Sequence, residues 1–334
     1  IYNYQASNGI TPHIFIFSYN SKTGKCCNTH KTRYCTEAIM NIDELSRYEI
    51  DGELQFIEIE HGFIYAEINN ALAHATVSTY SGQVLSYRPK DRQDDLLFVS
   101  DNAYYEDGKA IKGGIPVCWP WFGADPENQG RSAHGFVRNR QWQVTGSESL
   151  ADGSTKIVMS MTDNDATRAL WPHPFRLDIV ITVGNSLRVE LVTHNTGNES
   201  ITISQALHTY FRVGDIGKVR VLGLDGIQYL DKTNDAAPMT QSGPVTISGE
   251  VDRIYTDVTG DLSIDDSSLG RRILIASSGC STAVVWNPWV EVAASMADLD
   301  DDDYQHMLCV ETANAGPETV EIAAGDAYRL TAEY

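Results

Sequence analysis

Arg176-Leu177-Asp178-Ile179-Val180-Ile181-Thr182-Val183, followed after a short gap by Leu187-Arg188-Val189-Glu190-Leu191-Val192, alternates polar with apolar side chains through two consecutive runs. Side chains two apart share one face of an extended chain, so this period makes each run a strand with one face turned to a core. Val, Ile and Thr suit a pleated surface, and short Gly/Asn/Asp turns join such runs antiparallel. The same period returns at 54–59, 64–68, 75–80, 83–87, 156–161 and 200–203. So many half-apolar strands bury their faces by forming two packed sheets. Helical periodicity is scarce; the stretch 163–170, with an acidic start that can cap it, is the best candidate for a short helix. The expected fold is all-β, a large antiparallel β-sandwich.

The chain has 334 residues, 42% hydrophobic and 21% charged, a globular composition with ample material for a core. All-β sandwiches of this size commonly fold as one domain, and no repeat or linker divides the sequence after Met40. Residues 1–39 differ: Lys22, Lys25, Lys31 and Arg33 stand against the single acid Glu37, a formal +3 within a total of −20. They read as an N-terminal extension without a part in the chemistry, with Met40, the first methionine, at or near the natural start and 40–334 as the single domain. No stretch approaches the roughly 18 uninterrupted apolar residues of a membrane span. Ile14-Phe15-Ile16-Phe17 is shorter than the apolar core of a secretion signal.

The acidic balance argues against nucleic acid as a partner, since like charges would repel. An anionic small molecule would need a local group of cations, so where Lys and Arg fall relative to the motifs matters more than the total. The cysteines Cys26, Cys27, Cys35, Cys118, Cys280 and Cys309 are too scattered for a disulfide scaffold and suit a reducing, cytoplasmic compartment. Cys118 and Cys309 lie in apolar runs and read as buried thiols, while Cys26, Cys27 and Cys35 with His30 match no zinc spacing. Asp298 and Asp300 to Asp303 lack the glycine and terminal glutamate of an EF-hand and read as a solvated acidic turn, so no metal site is expected.

One imidazole and one carboxylate stand out for chemistry. Leu207-His208-Thr209-Tyr210-Phe211 and Leu308-Cys309-Val310-Glu311 set them in strand-like, apolar surroundings. A carboxylate there is expensive to bury unpaired, so Glu311 either meets a partner or lines a cleft, and burial would raise its pKa toward the range of a useful base. A core histidine bonded to a carbonyl and a buried ion pair are the plainer readings of His208 and Glu311.

Around them lie Lys112-Gly113-Gly114-Ile115-Pro116, Trp119-Pro120-Trp121-Phe122-Gly123, His134-Gly135-Phe136-Val137-Arg138-Asn139, Asp215-Ile216, Val251-Asp252-Arg253-Ile254-Tyr255, Val285-Trp286-Asn287-Pro288-Trp289 and Asn314. This ordered series, spanning roughly Tyr48 to Tyr334, resembles the aldose 1-epimerase superfamily, and within it the hexose-6-phosphate mutarotase (glucose-6-phosphate 1-epimerase) branch. The resemblance implies a galactose mutarotase-like supersandwich and an enzyme without cofactor that interconverts the α and β anomers of a small-molecule sugar phosphate. It implies Glu311 as base and His208 as acid. His134 would orient sugar hydroxyls, Asp252 and more weakly Asp231 would accept hydrogen bonds from them, and Trp286 with the Trp119/Trp121 pair could form a stacking wall. Lys112 and Arg138, with Arg88 next in line, are the cations for a phosphate. The chain departs from the series in carrying Lys112 where relatives commonly have arginine, and Ala133 where some have glutamine. A mutarotase of unphosphorylated aldoses would let those cations point away from the cleft; a non-catalytic sugar-binding module would not need His208 to face Glu311. Glycoside hydrolysis would require two carboxylates flanking the bond.

Overall fold

The computed structural model describes residues 41–59 and 62–334, and most of its regular structure is antiparallel strand. The expectations for residues 1–39, for the start at Met40 and for Cys26, Cys27, Cys35 and His30 lie outside the described residues. The opening pair of runs forms Phe175–Val183 and Leu187–Asn195, joined antiparallel from Phe175↔Asn195 to Val183↔Leu187. Phe175, Leu177, Ile179, Ile181 and Val183 are all buried, and none of the residues between them is. Burying each such side chain contributes about 1.5–3 kcal/mol, which fixes the register, because a slip of one residue would turn the whole set outward.

These two strands lie within an eight-stranded sheet, in the order Val219–Leu222, Leu262–Asp266, Arg271–Ser278, Ala327–Glu333, Leu187–Asn195, Phe175–Val183, Thr155–Thr162, Gln143–Ser149. A second eight-stranded sheet has Met307–Asn314 near its middle. On one side follow Thr282–Asn287, Val251–Tyr255, Gln228–Asp231 and Ala237–Thr240; on the other lie Gln205–Leu207 and Tyr210–Arg212, with Val117–Cys118 beyond the first of these. A four-stranded meander, Leu54–Glu58 to Gln83–Pro89, and the pair Ile201–Ile203 with Val320–Ile322 complete the fold. One continuous core takes Leu177 and Ile179 from the first large sheet, Val285, Leu308 and Val310 from the second, and Phe56 and Val77 from the meander.

The short helix is Asp165–Leu170, inside the expected stretch, but its cap is Asn164 and not the acid. The Asn164 side chain accepts from Thr167 N at 2.9 Å, and Asn164 N donates to Thr167 Oγ1 at 2.8 Å. Asp163 instead accepts from Phe175 N at 2.9 Å, tying the loop to the strand that follows. No helix among the described residues is long and apolar enough to cross a membrane.

Candidate active site

Every residue of Met307–Asn314 is buried, so this strand is covered on both faces. Leu308 and Val310 enter the core; by alternation Cys309 and Glu311 share the opposite face. Two short strands pair with it on the same side in one register, Leu207↔Thr312 before a break and Tyr210↔Cys309 after it. Carried across the break, that register sets His208 opposite Glu311. Within the break Thr209 N bonds back to Leu207 O at 3.0 Å, and His208 N donates to Pro116 O at 3.0 Å. The ladder is therefore interrupted only where the two polar side chains meet, with His208 Nε2 3.4 Å from Glu311 Oε1. His208 Nδ1 and Glu311 Oε2 are buried without a hydrogen-bond partner among the described residues. Such unpaired atoms are costly in a finished core and are what a site for a hydroxyl-rich ligand would hold in reserve.

The motif glycines and the stacked rings hold this pair in place. Gly114 accepts from Tyr210 N at 2.9 Å while its own N–H reaches Phe98 O at 2.7 Å; a Cβ there would fall 2.2 Å from Val84 O, so only glycine lets these strands close on the His208 segment. Tyr210 stacks on the His208 ring, with centroids 4.9 Å apart, and Trp286 meets it edge-on at 6.0 Å. His134 approaches His208 at 5.6 Å from a loop whose ends are pinned together: His134 N donates to Gly123 O at 2.7 Å, and Gly123 N donates to His134 Nδ1 at 3.4 Å. Nδ1 is thus an acceptor, and the neutral His134 carries its proton on Nε2. The backbone at His134 has φ +63°, a conformation that costs a non-glycine residue energy and recurs at binding sites. Next to it, a Cβ on Gly135 would lie 1.8 Å from Trp119 O, so this glycine is fixed by the close approach of the His134 loop.

Burial dominates the electrostatics. It lifts the Glu311 carboxyl well above its ordinary 4.5, Asp252 adding to the rise while Lys232 and Arg138 oppose it. Burial likewise holds His208 well below 6.5, helped by His134, Arg138 and Lys112. His134 is pulled down to about 3 by burial and then by Arg138, Lys232 and Lys112. Burial therefore favours the uncharged form of both members, a protonated carboxyl beside a neutral imidazole. Three cations act on one imidazole although the chain carries 45 acids against 25 bases.

The other expected residues divide. Lys112 reaches Asp298 Oδ1 at 3.4 Å and is mostly buried; Arg138 donates to Ala133 O at 3.1 Å and has no carboxylate partner among the described residues. Asp252 stands opposite Trp286, which stands opposite Cys309, so these three share the face that carries Glu311. Arg88 is not brought to this group: it lies on the meander opposite His74 and donates to Arg92 O at 3.4 Å. Asp231 is held in a turn, its Oδ1 accepting from Thr233 N at 3.1 Å and Thr233 Oγ1 at 2.6 Å. The Trp119/Trp121 pair does not form a stacking wall. Trp119 is fully buried against Trp171 and Phe175 with its indole N–H on Thr193 Oγ1 at 3.0 Å, and Trp121 is buried beneath Arg131. Trp286 is half-buried beside His208. Lys232 is the residue the sequence reading missed; it sits in a polar turn without a motif, next to an aspartate that drew the attention.

The sequence profile of the aldose 1-epimerase family matches residues 65–334, most of the chain. The chain belongs to the aldose 1-epimerase family. A protein of Escherichia coli (strain K12) provisionally named glucose-6-phosphate 1-epimerase is 37% identical over 272 residues, covering 81% of this chain and 86% of that protein. One of Cenchrus ciliaris with the same provisional name is 32% identical over 266 residues, covering 76% and 79%. The crystal structure of a provisionally named mutarotase from Salmonella typhimurium superposes with a TM-score of 0.80 at 29% identity, covering 87% of this chain and 97% of that one. A galactose mutarotase related enzyme of Lactobacillus acidophilus, 13% identical, shares the fold with a TM-score of 0.64. The expected supersandwich is thus the fold of this family member.

Histidine ordinarily changes charge between about pH 5 and 8. Because His134 and His208 are both pulled down, their ring nitrogens are expected to keep the neutral ¹⁵N chemical shifts across that whole range. A transition near 6.5 at either ring would contradict this electrostatic reading.

Proposed function

We propose that this chain is a hexose-6-phosphate mutarotase, with glucose 6-phosphate as substrate, working by acid/base ring opening and closure without a cofactor. The observation that carries the reading is the buried His208–Glu311 couple, with an unpaired atom on each side chain, and Arg138, Lys232 and Lys112 all acting on His134 beside it. The name given to the 37% identical relative supports the same substrate.

The resting pair holds one proton, and moving it from Glu311 to His208 gives a carboxylate and an imidazolium at the same proton count. In that form Glu311 takes the proton of the anomeric hydroxyl. The C1–O1 bond becomes a carbonyl, the C1–O5 bond breaks, and its electron pair goes to O5, which receives the proton of His208. Opening thus returns the pair to the neutral form that burial favours. Rotation about C1–C2 followed by the reverse transfers closes the ring on the other face. A sugar hydroxyl donating to Glu311 Oε2 would stabilise the carboxylate form needed for opening. His134 Nε2–H and Asp252 are the groups for other hydroxyls, Trp286 offers a flank to the ring, and Arg138 and Lys112 take the phosphate. A cytoplasmic location belongs to the same proposal, since Cys118, Cys280 and Cys309 are free thiols and a sugar phosphate is a metabolite of a reducing compartment.

The test is the rate at which freshly dissolved α-D-glucose 6-phosphate and α-D-glucose reach anomeric equilibrium, followed by proton NMR with and without the protein. Acceleration of the phosphate alone is expected. Acceleration of both sugars alike would make this a broader aldose mutarotase, and acceleration of neither would leave a sugar-binding module.

A further inference from the structure

We infer that Lys232 is a third cation for the substrate's phosphate, a binding residue outside every motif of the chain that helps select the phosphorylated sugar. The inference rests on the proposed function and adds a residue that neither the motif series nor the imidazole–carboxylate pair points to. Lys232 follows directly on the Gln228–Asp231 strand. Its backbone N–H donates to Asp252 O at 2.8 Å, and its ammonium lies 2.7 Å from Asp252 Oδ2. The side chain therefore runs across the neighbouring strand to the residue that faces Trp286, and Trp286 meets the His208 ring. That path ends at the rim of the face that carries Glu311.

An exposed lysine–aspartate pair by itself contributes little, and the plain reading of this one is a surface ion pair. Two observations go further. The charge of Lys232 acts on Glu311 and on His134, standing between Arg138 and Lys112 in its effect on the imidazole. The side chain is also 40% exposed, so solvent and a dissolved anion reach the arm that carries the ammonium. Lysine is a point charge on a flexible arm and can change partners at little conformational cost. If Lys232 turns from Asp252 to a phosphate oxygen, Asp252 is released to accept a hydrogen bond from a sugar hydroxyl. One movement then supplies a cation to one end of the substrate and an acceptor to the other. A sugar without phosphate would leave the lysine on the aspartate and gain neither.

The test compares the wild-type chain with Lys232→Met and Lys232→Arg in anomer equilibration of glucose 6-phosphate over a range of concentrations. Lys232→Met is expected to raise KM at least about tenfold while kcat stays within about threefold, and Lys232→Arg to keep KM within about threefold of wild type. An unchanged KM in Lys232→Met would overturn the inference. So would a loss confined to kcat, which would make the lysine a tuner of Glu311 through Asp252, and so would an arginine variant as impaired as the methionine one. A wild-type chain inert on glucose 6-phosphate would instead overturn the proposed function, and this inference with it.

Discussion

Glu311→Gln is expected to lower the protein-catalysed rate of anomer equilibration by about 10² to 10⁴, the range a positioned proton-transfer group supplies. The amide keeps the shape of the side chain and its place opposite His208 but cannot take the anomeric proton. The fold should not suffer, and the sign of the burial effect says why. A carboxyl whose folded pKa lies above its ordinary 4.5 adds stability while protonated, and that stability is lost as the pH rises through the raised value. Glutamine never ionises and escapes the loss. At neutral pH the variant should therefore melt at or above the wild-type temperature, with the gap closing as the pH falls toward 4.5. Loss of turnover with an unchanged or raised Tm is the expected pair of results. Near-normal turnover would remove Glu311 from the mechanism, and a large drop in Tm would return it to a structural role.

The fold was legible because its signal is local. Alternation in Phe175–Val183 and Leu187–Asn195 states which side chains face inward, and nothing distant is needed to read it. Met307–Asn314 is less transparent: buried on both faces, it offers no alternation, and its one carboxylate reads as the end of an apolar run when it lies in the middle of the strand. What placed Glu311 opposite His208 is a register shared by two separate short strands, a pairing that sequence order does not contain. The tryptophans show the opposite failure. Trp119 and Trp286 both stand in motifs beside proline or asparagine, yet one is enclosed by Trp171 and Phe175 and the other flanks the site. Residue type announces a large aromatic surface without saying which neighbour covers it. Charges behave likewise: Arg88 and Lys232 both stand at or just beyond the end of a strand, and only the course of the strands puts the second near His134 and leaves the first on the meander.

His208→Asn carries the second large effect, an expected fall in turnover of about 10² or more, equivalent to about 2.7 kcal/mol of transition-state stabilisation. Asparagine is too short to bring a donor to the place of Nε2, 3.4 Å from Glu311 Oε1, and it cannot accept the proton that the resting carboxyl must give up before it acts as a base. The smaller side chain also gives up the stack on Tyr210 and the edge contact with Trp286, so some loss of stability is expected, of about 1 kcal/mol for an aromatic pair. Turnover and melting must therefore be read together. The decisive measurement is the double variant with Glu311→Gln. If imidazole and carboxyl share one proton and work as a unit, the second substitution should cost almost nothing once the first is made, as is found when members of one catalytic group are removed in turn. If instead the two losses multiply, each residue acts alone and the shared proton is wrong, although both would still belong to the site.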